Sequence, residues 1–293
     1  MVLTLRKTQL RKFNHRFFTI GVLGNTTANA VFIGAIMRIL CLGDSIMQYN
    51  DFSSYPQTGW VQELVRFFPR AVEFLNFARN GRSTKSFIEE GRFKKVLAIA
   101  REGDYALIQF GHNDEKANDP TRYTTPAPQA NAGENCSFRG NLSFFVTELK
   151  KVGVKPILLT PVARRKFVDG TLSDTHGEYP RAIIETAKNL SVPCIDMTRL
   201  TMDFLESVGE VLSRRFFMNF DANLYENYPD GKGDNSHLRP DGAYVVSRIA
   251  AEQLAKIAEN FSDYAPLSDS VLIGKDKDEL ENDREIDDEF LIS

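Results

Sequence analysis

The stretch Met37-Arg38-Ile39-Leu40-Cys41-Leu42-Gly43-Asp44-Ser45 decides how the rest of the chain reads. Residues 37–42 form an apolar run of strand length, and the Gly43-Asp44 that follows is made of turn formers. A serine is thereby left at the carboxyl end of a buried strand. A serine hydroxyl is a poor nucleophile at neutral pH, so it needs a base, and the base needs an orienting carboxylate. Both occur far downstream in Asp234-Asn235-Ser236-His237. Between them lie Asn80-Gly81 and Gly111-His112-Asn113-Asp114. Gly81 and Asn113 can supply the hydrogen-bond donors that a tetrahedral oxyanion requires. Each piece also has a plainer reading. Gly-Asp-Ser fits a helix N-cap, Gly-His-Asn-Asp a turn, and Asp-x-x-His a capped helix start. Asp114 is a rival to Asp234 for the carboxylate role.

Further apolar, β-branched runs occupy 72–77, 105–110, 156–160 and 192–196. Helical patterns fall over 60–68, 87–101, 138–152, 181–190 and 197–214, and a last one over 241–260. Strands alternating with helices predict an α/β fold, a three-layer α/β/α sandwich around a five-stranded parallel sheet. Sites in such sheets form outside the carboxyl ends of the strands. Ser45 follows the first predicted strand, Gly81 the second and Asn113 the third.

Composition narrows the function. The chain has 293 residues and a formal net charge of −3, enough for one large domain and too little basic charge to suggest nucleic acid as a partner. No apolar run reaches the length of a membrane span. The three cysteines, Cys41, Cys136 and Cys194, lack metal-type spacing, and no His-Glu-x-x-His or Cys-x-x-Cys pair occurs. Neither a metal nor another cofactor is therefore expected. Residues 1–36 carry basic but no acidic side chains and read as an N-terminal extension or a start upstream of Met37. That favours a cytoplasmic chain; the alternative is secretion with cleavage near Ala30. Residues 37–262 form the predicted domain, and 263–293 an acidic, solvated tail.

The four blocks in this order resemble those of the SGNH (GDSL-type) hydrolases, named for the Ser, Gly, Asn and His of these blocks. Further stretches resemble the rhamnogalacturonan acetylesterase branch: Thr58-Gly59-Trp60, Asn80-Gly81-Arg82-Ser83-Thr84, Gln109-Phe110-Gly111-His112-Asn113-Asp114, Thr160-Pro161-Val162-Ala163-Arg164-Arg165, Thr175-His176-Gly177-Glu178-Tyr179-Pro180 and Asn227-Tyr228-Pro229. The resemblance implies a flavodoxin-like strand order 2-1-3-4-5. It also implies Ser45 as nucleophile, His237 as base and Asp234 as its carboxylate. The implied oxyanion donors are the Ser45 and Gly81 backbone N–H groups and the Asn113 amide. The implied substrate is an acetyl ester on a pectic, anionic saccharide.

Other residues divide between site and scaffold. Asp44 fits a turn-shaping role, His112 a packed support for its loop, and Trp60 a core anchor at a helix start. His176, in a loop among Gly and Asp residues, either lines the substrate cleft or serves the loop alone. Arg82, Lys85, Lys116, Arg164, Arg165 and Arg239 fall in or near the site loops; singly they fit surface charge or ion pairing, and together they fit an anionic saccharide. Of these, Arg82 and Arg239, with His176, are the candidate substrate-binding residues. Two other functions fit the chain: a general acylhydrolase or thioesterase, and a catalytically silent saccharide-binding protein. The oligomeric state is left open.

Overall fold

Apolar strands that alternate with amphipathic helices leave few packing solutions, and the chain adopts the layered one. The structure, a computed structural model, describes residues 37–68, 72–127 and 135–257. The predicted N-terminal extension and acidic tail lie outside the described residues, as do positions 258–260 of the last predicted helix. In chain order the elements are β1 (Met37–Gly43), α1 (Trp60–Leu64), β2 (Val72–Asn76), α2 (Thr84–Glu89), α3 (Arg92–Ile99) and β3 (Tyr105–Gln109). They continue with α4 (Phe138–Lys151), β4 (Lys155–Leu159), β5 (Phe167–Val168), β6 (Thr171–Leu172), α5 (Tyr179–Asn189), β7 (Cys194–Ile195) and α6 (Met197–Val208). The last are α7 (Glu210–Ser213), β8 (Phe217–Phe220), β9 (Lys232–Leu238) and α8 (Pro240–Ile257).

The main sheet has the order β2-β1-β3-β4-β7, with every pairing parallel. This is the predicted order once β7 is counted as the fifth strand. Its central strands β1, β3 and β4 are buried on both faces, which is why they read as continuous apolar runs rather than alternating ones. Side chains still alternate between two cores. Ile39, Cys41, Leu107, Ile157 and Leu159 pack with Trp60 and Leu64 of α1, Leu205 of α6 and Val246 and Leu254 of α8. Leu40, Leu42, Ala106, Ile108 and Leu158 face α2, α3, α4 and α5. In that second core the rings of Phe87, Phe93 and Phe145 meet at centroid distances of 4.7 and 6.0 Å. Truncating a buried Phe such as Phe145 to Ala costs about 3–5 kcal/mol. Among the described residues no helix is long and apolar enough to cross a membrane.

Three features depart from the sequence reading. The helix expected over 87–101 begins earlier, because Ser83 and Ser86 cap each other reciprocally, and it is split at Gly91, which takes a left-handed φ of 68°. The helix expected over 197–214 breaks at Gly209. The third departure bears on function. Asp234–His237 is not simply a lead-in to the last helix: it belongs to β9, which pairs antiparallel with β8 outside the main sheet. Phe217 pairs with Leu238 and Asn219 with Gly233, so the short step from 217 to 219 faces the long one from 233 to 238. Residues 234–237 therefore bulge out of the ladder. Bulges are devices that re-aim side chains, and this one carries the Asp-x-x-His block.

Candidate active site

Strand β1 ends at Gly43, and the Asp44 carbonyl then accepts the N–H groups of Met47 and Gln48, turning the chain sharply around Ser45. Ser45 sits at the carboxyl edge of the sheet and is 6% exposed. Its Oγ lies 2.8 Å from His237 Nε2. His237 Nδ1 lies 2.7 Å from Asp234 Oδ2. The other oxygen of Asp234 accepts the backbone N–H groups of Ser236 at 2.8 Å and His237 at 3.1 Å, which fixes the carboxylate within the bulge. Burial alone raises the pKa of Asp234, but the His237 hydrogen bond, the His237 charge and the two backbone donors outweigh it and hold it at about 2. The bulge is clamped from both sides. Thr58 N–H donates to the Leu238 carbonyl at 2.9 Å, and Arg165 N–H to that of Asn235 at 2.9 Å. The Arg165 guanidinium reaches Asn235 Oδ1 at 3.1 Å and Ser213 Oγ at 3.0 Å.

Donors gather at the same sheet edge. Gly81 has a φ of 76°, a conformation that favours glycine. No described residue accepts the Gly81 or the Ser45 backbone N–H. Asn113 follows β3; its side-chain nitrogen donates to the Arg82 carbonyl at 3.1 Å, and its Oδ1 accepts Lys116 Nζ at 2.9 Å. These two bonds fix which way the amide faces and leave its second N–H unspent.

Asp114 lies away from this line. It is wholly buried, and its Oδ1 accepts Thr84 N–H at 3.0 Å, Thr84 Oγ1 at 2.6 Å and Thr124 Oγ1 at 2.7 Å, while its Oδ2 has no partner. Burial raises its pKa to about 7. Asp44 is also buried, with one oxygen on Ile46 N–H at 3.0 Å, and burial raises it to about 6. Trp60 is a core anchor: its indole N–H donates to Gln109 Oε1 at 2.8 Å, and Gln109 donates to the Thr160 carbonyl at 2.9 Å.

His176 is not a cleft residue. It is 2% exposed, with Nδ1 3.1 Å from Glu115 Oε2 and Nε2 3.0 Å from the Val162 carbonyl. Arg164 pairs with the other oxygen of Glu115, and His112 stands edge-on to His176 at 4.7 Å. Burial pushes His112 well below the ordinary histidine range, which favours the neutral ring. A loop rich in Gly and Asp gave no sign that distant partners would draw the histidine inward. Donor atoms of His112, Glu115 and His176 lie within 4.8 Å of one another, close enough to suggest a metal. The chemistry opposes it: Arg164 already neutralises Glu115, and a cation placed there would meet the guanidinium.

Most of the cations around the site are also spent internally. Arg82 binds Glu90 at 3.0 Å and the Asn80 carbonyl at 2.8 Å, and Lys85 reaches the Pro120 carbonyl at 2.8 Å. Lys116, Arg164 and Arg165 hold the partners given above. Arg239 differs. Its guanidinium lies over the rings of Tyr225 at 5.4 Å and Phe220 at 5.9 Å.

The chain is similar to known proteins. The profile of the GDSL-like Lipase/Acylhydrolase family matches residues 41–245. The chain is 35% identical to the rhamnogalacturonan acetylesterase RhgT of Bacillus subtilis, over 78% of this chain and 94% of that protein. It is 29% identical to the probable rhamnogalacturonan acetylesterase YesY of the same species, over 80% of this chain and 97% of that one. Among solved structures, YxiM of Bacillus subtilis superposes with a TM-score of 0.62 at 23% identity, over 75% of this chain and 56% of that one, a likeness of fold. The chain is a carboxylic ester hydrolase, and it belongs to the GDSL-like lipase/acylhydrolase family.

Proposed function

We propose that this chain is a serine esterase that removes acetyl groups from a pectic saccharide of the rhamnogalacturonan type. One observation carries the mechanism: the continuous hydrogen-bonded line from Ser45 Oγ through His237 to Asp234. His237 Nε2 takes the Ser45 proton as Oγ attacks the acetyl carbonyl. The negative oxygen of the tetrahedral intermediate meets the unspent N–H groups of Ser45, Gly81 and Asn113. The intermediate collapses, the C–O bond to the sugar breaks, and His237 returns its proton to the departing sugar hydroxyl. Water, deprotonated by the same nitrogen, then attacks the acetyl-enzyme, and acetate leaves with Ser45 restored. Asp234, held ionised, keeps His237 in the tautomer with Nδ1 protonated and stabilises the ring when it becomes cationic.

The substrate assignment draws on the two relatives named as rhamnogalacturonan acetylesterases. A second reading, an acetylesterase for neutral saccharides, draws on the internal engagement of Arg82, Lys85, Lys116, Arg164 and Arg165, which leaves Arg239 as the principal candidate for a substrate carboxylate. Acetate release should be compared on acetylated rhamnogalacturonan, acetylated xylan and p-nitrophenyl acetate, with Ser45→Ala as control. Preference for the first supports the pectic reading; preference for xylan supports the second. A chain that releases no acetate and resists a serine-directed phosphonate at Ser45 is not a serine esterase.

A further inference from the structure

Two loops beside the active-site edge expose aromatic rings that the mechanism does not use. The loop after Ser45 presents Phe52, 89% exposed, and Tyr55, 46% exposed. The loop joining β8 to β9 presents Tyr225. The ring centroids form a chain: Phe52 to Tyr55 at 6.3 Å, Tyr55 to Tyr225 at 5.9 Å, and Tyr225 to Phe220 at 4.6 Å. Isolated exposed rings are ordinary, but a contiguous set is not.

The set is held in place by polar bonds between the loops. Asn227 Nδ2 donates to the Phe52 carbonyl at 2.7 Å and to that of Tyr55 at 2.9 Å. Tyr228 Oη donates to the Ser54 carbonyl at 3.2 Å. These bonds join backbone to side chain and leave the Phe52 ring in solvent, so folding gains little from its apolar surface. A surface organised in advance loses little freedom when a ligand settles on it.

Its place is set by the chain. The first loop departs at Ser45 and returns at Thr58, whose N–H donates to the carbonyl of Leu238, next to His237. The second loop ends where β9 enters the bulge. Cations stand at the rim: Arg239 over Tyr225 and Phe220, and Lys232 over Tyr228 at 5.9 Å. Among the described residues no carboxylate pairs with Arg239 and no acceptor takes its guanidinium N–H groups, so those donors remain for a two-pronged bond. Glu226 and Asp230 lie exposed on the second loop, so long-range attraction of an anion is not the device; direct contact with Arg239 is.

We infer that Phe52, Tyr55 and Tyr225, with Arg239 at the rim, form a subsite for a uronate-bearing pyranose of the substrate chain. The apolar C–H face of such a ring suits the aromatic ledge, and its carboxylate suits the Arg239 fork. A lipid chain would find exposed rings edged by cations rather than an enclosed apolar channel. The inference rests on the esterase reading above and adds the residues that select the substrate.

The test compares full-length wild type with Phe52→Ala and Arg239→Gln, folding being checked by circular dichroism. Acetate release is followed on acetylated rhamnogalacturonan oligosaccharides, on the same oligosaccharides after reduction of their carboxyl groups, and on p-nitrophenyl acetate. Phe52→Ala should raise KM on both oligosaccharides roughly three- to tenfold, leave kcat within about twofold, and have no counterpart on p-nitrophenyl acetate. Arg239→Gln should raise KM on the acidic oligosaccharide more than on the reduced one. An unchanged KM for Phe52→Ala, or an equal loss on all three substrates, overturns the subsite. Equal effects of Arg239→Gln on acidic and reduced chains overturn the uronate assignment. If wild type shows no Ser45-dependent acetate release, the esterase reading fails. The ledge is then judged by calorimetric titration of deacetylated oligosaccharide into Ser45→Ala and Ser45→Ala/Phe52→Ala: tighter binding by the former supports it, and equal or absent binding overturns it.

Discussion

The protein contains two histidine–carboxylate pairs with nearly the same first contact and different chemical capacities. His237 Nδ1 faces Asp234 at 2.7 Å, and His176 Nδ1 faces Glu115 at 3.1 Å. The difference lies at the other nitrogen. His237 Nε2 meets the Ser45 hydroxyl, which can donate as well as accept, so the ring can offer a lone pair and take a proton. His176 Nε2 meets the Val162 carbonyl, which only accepts. Both nitrogens of that ring are aimed at acceptors, and neither faces a hydroxyl whose proton it could take. The carboxylates differ too. Asp234 is steadied by backbone N–H groups of its own bulge, whereas Glu115 is neutralised by Arg164. A histidine beside a carboxylate is thus no sign of catalysis by itself; what the far nitrogen touches decides.

The contrast breaks most visibly at the nucleophile. Ser45→Ala should lower kcat by up to about 10⁶-fold with an unchanged melting curve; near wild-type acetate release would remove His237 from the role of base. Asp234→Asn should cost roughly 10⁴-fold in kcat, through loss of the correct tautomer, with the fold retained. A drop in stability with activity preserved would make the two pairs alike. Asn113→Ala should lower kcat roughly 10²–10³-fold with a smaller change in KM, which steady-state kinetics would separate. Glu115→Ala should show the opposite profile to Asp234→Asn. It strands Arg164 and His176, and urea unfolding should register a loss of about 2 kcal/mol, below the range for a fully buried pair because the Glu115 and Arg164 side chains are 15% and 22% exposed.

A last effect concerns pH and a buried carboxylate. Burial raises the pKa of Asp114 to about 7, so the folded state holds this proton more tightly than the unfolded chain does. Its contribution to stability is complete below about pH 4 and is lost as pH rises through 7. In Asp114→Asn the amide oxygen can keep the Thr84 and Thr124 bonds, and no proton remains to lose. Unfolding free energies measured from pH 4 to 8 should therefore fall less steeply with pH in the variant than in wild type. Parallel curves would show that Asp114 is ionised throughout.

The sheet was legible because parallel strands buried on both faces leave unbroken apolar runs, as in residues 37–42 and 105–110. The small hairpin was not. Strand β9 reads Lys-Gly-Asp-Asn-Ser-His-Leu, with no apolar alternation to signal a strand. Its pairing depends on β8 and its irregular shape on a register shift between partners. Ser45, Gly81 and Asn113 stand out because reactive or permissive residue types occupy turn-like settings after predicted strands, and Asp234 and His237 through the Asp-x-x-His block and the family resemblance. His176 misled for the reverse reason: its surroundings in sequence are polar and loop-like, and the partners that bury it, Glu115 and Val162, belong to other segments. Arg164 and Arg165 look free in sequence, since nothing local to them announces Glu115, Ser213 or Asn235.

The hairpin of β8 and β9 also has a consequence for how such an enzyme can be remade. Its bulge carries the base and the carboxylate, and its tip carries Tyr225 and Asn227, all outside the five-stranded sheet. On the function proposed above, one strand pair divides its labour by position, with bond-breaking at the root and recognition at the far end. The root is bolted down through Leu238 and Asn235, while the tip meets the exposed loop that follows Ser45, the Phe220 ring and Arg239, and holds Arg214 through Asp221. Residues 221–231 are in that sense an exchangeable cassette. On that proposal, a graft of different length or composition there should redraw the list of acceptable sugars while the proton relay stays in register.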